Sequence, residues 1–303
     1  MSDKLSLITF FEQYPNEESA VKYFESLRWQ DGIRCPYCGS VHISDCKGKA
    51  PMPHRCRDCR KFFSVRVGTI LSDSKLPLQK WLLAIYILTN SKKGISSIQL
   101  SEYLNCTQKT AWFLAHRIRE AWLSQSDKFT GIVEVDETYI GGVEKNKHNS
   151  KKLHSGRGSK GKTPVVGLKS RDGKVKAYAA EKTDKATLTS AIRNNVEKGS
   201  TVYTDQYKAY NGLKEFKHKR VNHSADEYKR GQVHTNGIES FWATLKRGYY
   251  GIYHQWSDKH LQRYVDEFAA RFNMRDKTVL ERLRSVVING INKHLSYKEL
   301  INA

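Results

Sequence analysis

The chain has 303 residues, 39% hydrophobic and 11% aromatic, enough apolar material for two or three folded domains and too much for a disordered chain. Lysine and arginine number 52 against 31 aspartate and glutamate, and the resulting formal charge of +21 favours a polyanionic partner. No run of about 18 apolar residues occurs, and the opening MSDKLSLITFFEQYP lacks a basic start followed by a long apolar core, so neither a membrane span nor a secretory leader is expected.

In chain order, residues 17–28 (EESAVKYFESLR) predict a short amphipathic helix that packs on the next element through Tyr23, Phe24 and Trp29. That element carries Cys35-Pro-Tyr-Cys38, seventeen intervening residues, and Cys56-Arg-Asp-Cys59. In a reducing cytosol such thiols bind metal more often than they pair. Two CxxC knuckles at this separation form a zinc-ribbon signature, because four thiolates close a tetrahedral site and leave no open position. Its Zn²⁺ would be structural. Cys46 and Cys106 read as plain thiols, and His42 and His54 are unnecessary as ligands. Residues 78–88 predict a strongly apolar helix. Residues 97–104 predict a short helix, Asn105-Cys106 a turn, and 108–122 a longer helix with Thr107 as N-cap and Ala111, Leu114, Ala115, Ile118 and Trp122 on one side. This is the pattern of a helix-turn-helix, with Gln108, Lys109 and Thr110 at the start of the reading helix. A purely structural three-helix bundle is the alternative.

The third region begins with residues 131–140 (GIVEVDETYI), a strand carrying Asp136 near its centre. Glu137 should point to the opposite face and be solvated. Strands are expected over 164–169 and 174–181, a helix over 185–198, a strand over 201–205 ending in Asp205, a short helix over 207–213 and a strand over 217–222. A helix then opens in VHTNGIESFWATLKRG, with Glu239 and Lys246 seven residues apart on one face. If the first and fourth strands are neighbours, the two aspartates meet. Three converging carboxylates would suit hard divalent ions such as Mg²⁺. Two competing roles stay open: Asn236 and Glu239 have the spacing of an N-cap and its N3 partner, and Asp205 could end its strand as a cap. Residues 143–162, with six lysines and one arginine against one glutamate, read as a solvated loop or as an arm that orders on DNA. Tyr249, Tyr250, Tyr253 and Trp256 read as base-stacking groups or, for at least half of them, as core.

Four stretches, LRWQDGIRCPYCGS, FSVRVGTILSDSKLPLQKW, VEVDETYIGG, and YTDQYKAY with HTNGIESFWATLKRG, resemble the bacterial insertion-sequence DDE transposases of the ISXO-like group, over nearly the whole chain. The resemblance implies a multidomain α/β protein. Residues 1–66 would hold an N-terminal helix and zinc ribbon, and 67–126 a helical, helix-turn-helix-like DNA-binding region. Residues 127–303 would form an RNase H-like core, a mixed central sheet flanked by helices, with the basic insert at 143–162. It implies Asp136, Asp205 and Glu239 as catalytic ligands of Mg²⁺ or Mn²⁺, with Asn236 as the alternative third ligand and Lys246, beside Arg247, touching DNA. The implied activity is metal-dependent hydrolysis and strand transfer at element ends, in a homo-oligomer acting on terminal inverted repeats and target DNA. The implied setting is the bacterial cytoplasm, at the nucleoid when acting. A DNA-binding regulator without cleavage activity is the alternative.

Overall fold

The computed structural model describes residues 5–46, 48, 51–122, 127–142, 146, 148–152, 159–205, 207–221 and 234–302. Compactness divides the chain into two units, residues 1–124 with 276–303, and residues 125–275. This differs from the three-part division expected above. The ribbon and the helical region share one unit, and the last 28 residues join them instead of residues 125–275.

The first unit starts with helices α1 (Leu7–Gln13) and α2 (Glu17–Arg28). Asn16 and Ser19 form a reciprocal capping pair at the start of α2. Strands β1 (Ile43–Asp45), β2 (His54–Cys56) and β3 (Phe62–Phe63) make an antiparallel ribbon. Trp29 packs edge-on against Phe63 and His54, as expected of the helix-to-ribbon contact, whereas Tyr23 meets Tyr14. Helices α3 (Leu78–Asn90), α4 (Ser97–Leu104) and α5 (Gln108–Trp122) follow. Pro77 cannot cap α3, and Glu17 of α2 does so instead, accepting from the N–H groups of Leu78 and Gln79 at 2.7 and 2.9 Å. Asn105, at φ 45°, closes α4 in the left-handed conformation and turns the chain into α5. The apolar side of α5 named from the sequence is buried throughout. Helices α9 (Val279–Asn289) and α10 (Tyr297–Asn302) complete the unit, and α9 packs on α2, α3 and α5.

The second unit is a five-stranded mixed sheet in the order β6-β5-β4-β7-β8. Its strands are β4 (Ile132–Ile140), β5 (Thr163–Ser170), β6 (Val175–Ala179), β7 (Thr201–Thr204) and β8 (Lys217–Arg220). The pairs among β4, β5 and β6 are antiparallel, whereas β7 runs parallel to both β4 and β8. Alternation along β4 sends Val133 and Val135 into a core with α6 (Lys185–Asn195) residues Leu188 and Ile192. Ile140 on the other face joins Ile238, Phe241, Trp242 and Leu245 of α7 (Asn236–Gly248) and Leu261, Val265 and Phe268 of α8 (Asp258–Asn273). The α7 residues recur at i, i+3, i+4 and i+7, the stripe of a helix that buries one side.

Helix α8 also closes the β6 edge. The Asn273 amide bonds both the N–H and the carbonyl of Val175, at 2.7 and 2.8 Å, and Gln262 does the same for the Ala179 N–H and the Ala177 carbonyl, at 2.7 and 3.2 Å. The helix expected over 207–213 is a 3₁₀ turn of Lys208–Tyr210, after which Gly212 takes a left-handed φ of 96°. Asn222 and residues 143–145, 147 and 153–158 of the basic insert lie outside the described residues.

Candidate active site and cysteine cluster

The parallel pairing of β4 with β7 sets Glu134 beside Tyr203. Asp136 lies two residues further along β4 and Asp205 directly follows the last residue of β7, close enough for their charges to interact. The C-terminal ends of parallel strands are where α/β sheets commonly place their ligands. The Oδ2 of Asp136 accepts from Trp242 Nε1 at 2.9 Å. Burial pushes the Asp136 carboxyl up to about 7, and the charges of Glu137 and Asp205 add to the shift. The Oδ1 of Asp205 accepts from the Tyr207 N–H at 3.0 Å, so the turn after β7 uses one of its oxygens.

Glu137 corrects the reading that placed it in solvent. It does lie on the opposite face of β4, but there it is half-buried, and Tyr210 donates to its Oε2 at 2.6 Å. Burial raises its pKa, and the charge of Asp205 raises it further. Three acids thus sense one another where β7 ends beside the middle of β4. Among the described residues no cationic side chain offsets the charge of Asp136 or Glu137, in a chain that carries +21 overall. Such a donor set fits a hard divalent cation, which takes one or two carboxylates plus oxygens from water or a phosphate ligand.

Glu239 sits one helical turn before Trp242 on α7. Its side chain is exposed and accepts from the Thr235 hydroxyl at 2.8 Å. The carboxylates of Asp136, Asp205 and Glu239 do not form a set within 4.8 Å; the four cysteines alone do so among the described residues. Asn236 is exposed and is the first helical residue, not the cap. The N-cap is Thr235, whose side chain makes no cap bond, so Asn236 and Glu239 form no capping box. Lys246 shares the face of Glu239 and is half-buried; Arg247 is exposed and bonds Thr244. Tyr249 and Trp256 are core, Tyr253 is packed against it, and Tyr250 is exposed.

Sequence reading missed Trp242 as a partner of Asp136, and with it Gly167. Gly167 lies opposite Asp136 on β5, and a Cβ there would stand 2.5 Å from the Trp242 ring. The indole can approach the strand this closely because the position has no side chain. Gly167→Ala is therefore expected to destabilise the fold by about 1–3 kcal/mol through overpacking. Urea melts check this, and an unchanged midpoint would show that the indole does not need the space.

In the ribbon, the sulfurs of Cys35, Cys38, Cys56 and Cys59 all lie within 4.8 Å of one another, with Cys35–Cys59 and Cys38–Cys56 at 3.6 Å. The backbone N–H of Cys59, then that of Asp58, stabilise the Cys56 thiolate and bring its pKa down to about 6. Four soft sulfurs at this separation fit one tetrahedral ion. Each knuckle is followed by a left-handed residue, Gly39 at φ 76° and Arg60 at φ 62°. His42 and His54 are otherwise engaged, the first with Asp58 and the second between Asp45 and Glu25. Cys46 and Cys106 stand outside the cluster.

At the start of α5, Gln108 and Lys109 are exposed and Thr110 is half-buried. Gln108 bonds the Ser97 hydroxyl at the start of α4, Lys109 lies over the Tyr297 ring, and Thr110 pairs with Thr107.

No helix among the described residues is long and apolar enough to cross a membrane. The model of the ISXO2-like transposase domain matches residues 128–273, and that of the transposase zinc-ribbon domain matches residues 15–62. A Halobacterium salinarum protein described as an uncharacterized protein in transposable element ISH50 is 27% identical over 287 residues, covering 90% of this chain and 97% of that protein. An uncharacterized transposase-like protein of Haemophilus influenzae is 33% identical over 120 residues, 38% of this chain and 94% of its own length. Asp136, Asp205 and the four-cysteine ribbon thus fall in the two regions that these models match, and the chain belongs to the ISXO2-like transposases with an N-terminal zinc ribbon.

Proposed function

We propose that this chain binds the ends of an insertion sequence and performs metal-dependent phosphodiester hydrolysis and strand transfer. The observation that carries the proposal is the meeting of Asp136 on β4 with Asp205 at the end of the adjacent parallel strand β7, where their charges interact and, among the described residues, no cationic side chain offsets that of Asp136. These two carboxylates would hold Mg²⁺ or Mn²⁺, with Glu239 of α7 as the third ligand and Asn236 as the alternative. When bound, the ions supply Lewis acidity toward a phosphodiester oxygen and an attacking hydroxyl. Trp242 fixes one oxygen of Asp136 and so orients the other. Lys246 and Arg247 would engage DNA phosphates along the accessible side of α7. Cys35, Cys38, Cys56 and Cys59 would hold a structural Zn²⁺. The ribbon, with Gln108, Lys109 and Thr110 of the helix pair, would recognise terminal inverted repeats. Two ends must be brought together and joined to target DNA, which calls for a homo-oligomer, acting at the nucleoid in the bacterial cytoplasm.

The test is Mg²⁺- or Mn²⁺-dependent nicking of an end-containing duplex, run beside a gel shift on the same DNA. Glu239→Gln is expected to lower nicking by about 10³-fold or more with the shift retained, because it removes a charge the ions need while keeping the size of the side chain. Lys246→Ala is expected to weaken the shift and flatten its salt dependence. Normal nicking by Glu239→Gln with nicking abolished in Asn236→Ala would move the third ligand to Asn236. A normal shift without nicking by the unaltered protein would favour a DNA-binding regulator.

A further inference from the structure

Glu134 lies two residues before Asp136 on β4, on the same face, and is 1% exposed. An apolar residue would be ordinary at such a position. Its Oε2 accepts from the backbone N–H of Ile238, the third residue of α7, at 2.9 Å. Lys169 stands directly across on β5. Arg171 Nη1 and His234 Nδ1 lie 3.5 and 3.7 Å from the other oxygen, and Arg171 Nη1 donates to His234 Nε2 at 2.8 Å. Gly237 makes this approach feasible, since a Cβ there would stand 2.7 Å from both Glu134 Oε2 and Lys169 Nζ. A buried carboxylate at a helix N-terminus satisfies an orphan donor and meets the positive end of the helix dipole.

We infer that Glu134 is a positioning residue: it pins the first turn of α7 to the strand that bears Asp136, and so sets where Glu239 and Trp242 stand relative to that carboxylate. The inference rests on the proposed metal role of Asp136 and Glu239. Glu239 follows the pinned amide by one residue, and Trp242 touches Asp136 itself. Thr235, the N-cap residue of α7, provides no side-chain cap bond, so the strand residue takes its place. Catalytic groups tolerate little displacement, and a shift of about 1 Å can lower a rate on the order of 10²-fold.

The experiment uses the full chain with its ribbon metal retained and no DNA. Two quantities are read: amide hydrogen exchange over residues 234–241, and Mn²⁺ affinity from water-proton relaxation. Glu134→Ala is expected to speed exchange at the start of α7 by at least about tenfold, the loss of one buried hydrogen bond, and to weaken Mn²⁺ binding about tenfold or more. Glu134→Gln still offers an oxygen to Ile238 and is expected to restore both to within about threefold. Should Glu134→Ala fail to fold, Gly237→Ala perturbs the same junction from the helix side and is expected to move both quantities the same way. Unchanged exchange overturns the inference, as does faster exchange with Mn²⁺ affinity intact. Asp136→Asn separates the two readings: if it leaves Mn²⁺ binding unaltered, the metal role fails, and the exchange measurement still decides whether Glu134 holds the helix.

Discussion

Asp136→Asn is expected to abolish nicking and, without added Mg²⁺ or Mn²⁺, to make the protein more stable at pH 8. The first effect is a loss of about 10³-fold or more, because the charge that would bind the ion is gone. The second follows from the raised carboxyl, about 7 in the fold against 3.8 as its ordinary value. Burial and the neighbouring acids disfavour the ionised form in the folded chain, whereas the unfolded chain ionises freely. Below pH 4 both states keep the proton, so the group has no effect on stability. Between pH 4 and 7 the unfolded state loses its proton first, and stability falls; above 7 the penalty is complete. After allowing for the partial exposure of the group, its size is on the order of 2 kcal/mol. Asparagine carries no such penalty and can still accept from Trp242. Thermal melts at pH 4 and pH 8 should therefore show the variant ahead only at the higher pH, and added Mn²⁺ should stabilise the wild type alone. A variant less stable than wild type at pH 8 would mean that the acids are not strained by one another.

Removing the ribbon metal, or replacing Cys35 and Cys38 by serine, is expected to unfold residues 30–65 and weaken end binding, leaving the sheet around Asp136 protected. The ribbon has strands of two or three residues, and its buried apolar cluster is Cys35, Cys56 and Phe63 with a few half-buried neighbours. Such a core is far too small to stand alone. Structural zinc in comparable small modules supplies roughly 10–16 kcal/mol, and that energy is folding energy. Hydrogen exchange on peptides from 30–65 and from 132–140 checks it. Native-like protection of the first set in the double serine variant would show that the protein core holds the knuckles unaided.

Much of this was legible in the residues themselves. The cysteine spacing located the ribbon, because ligand geometry is local. The neighbouring of β4 and β7 followed from asking where two aspartates could meet, and the sheet order has them adjacent. Local capping rules failed at two helix starts. Helices α3 and α7 are capped by Glu17 and Glu134, which are 61 and 104 residues from the amides they satisfy. No spacing rule sees a partner at that distance. The burial of Glu137 was missed because strand alternation gives the face of a side chain but not what covers it, here Tyr210. Helices α8, α9 and α10 went unassigned, and the return of residues 276–303 to the first unit depends on tertiary contacts such as the bridge of Thr69 with Ile291.

The amides of Gln262 and Asn273 occupy the hydrogen-bonding sites along β6 that another strand would use. At the far side of the sheet, β8 is only four residues long and carries Lys217, Lys219 and Arg220, charges that repel an identical strand. Neither margin is a template for its own copy. The assembly on DNA proposed above would raise the local concentration of such sheets, and these margins would keep them from polymerising into fibres. In the described residues that protection is written into one helix and one basic strand, so copies that associate would meet through side-chain surfaces, leaving the backbone ladder of each sheet to itself.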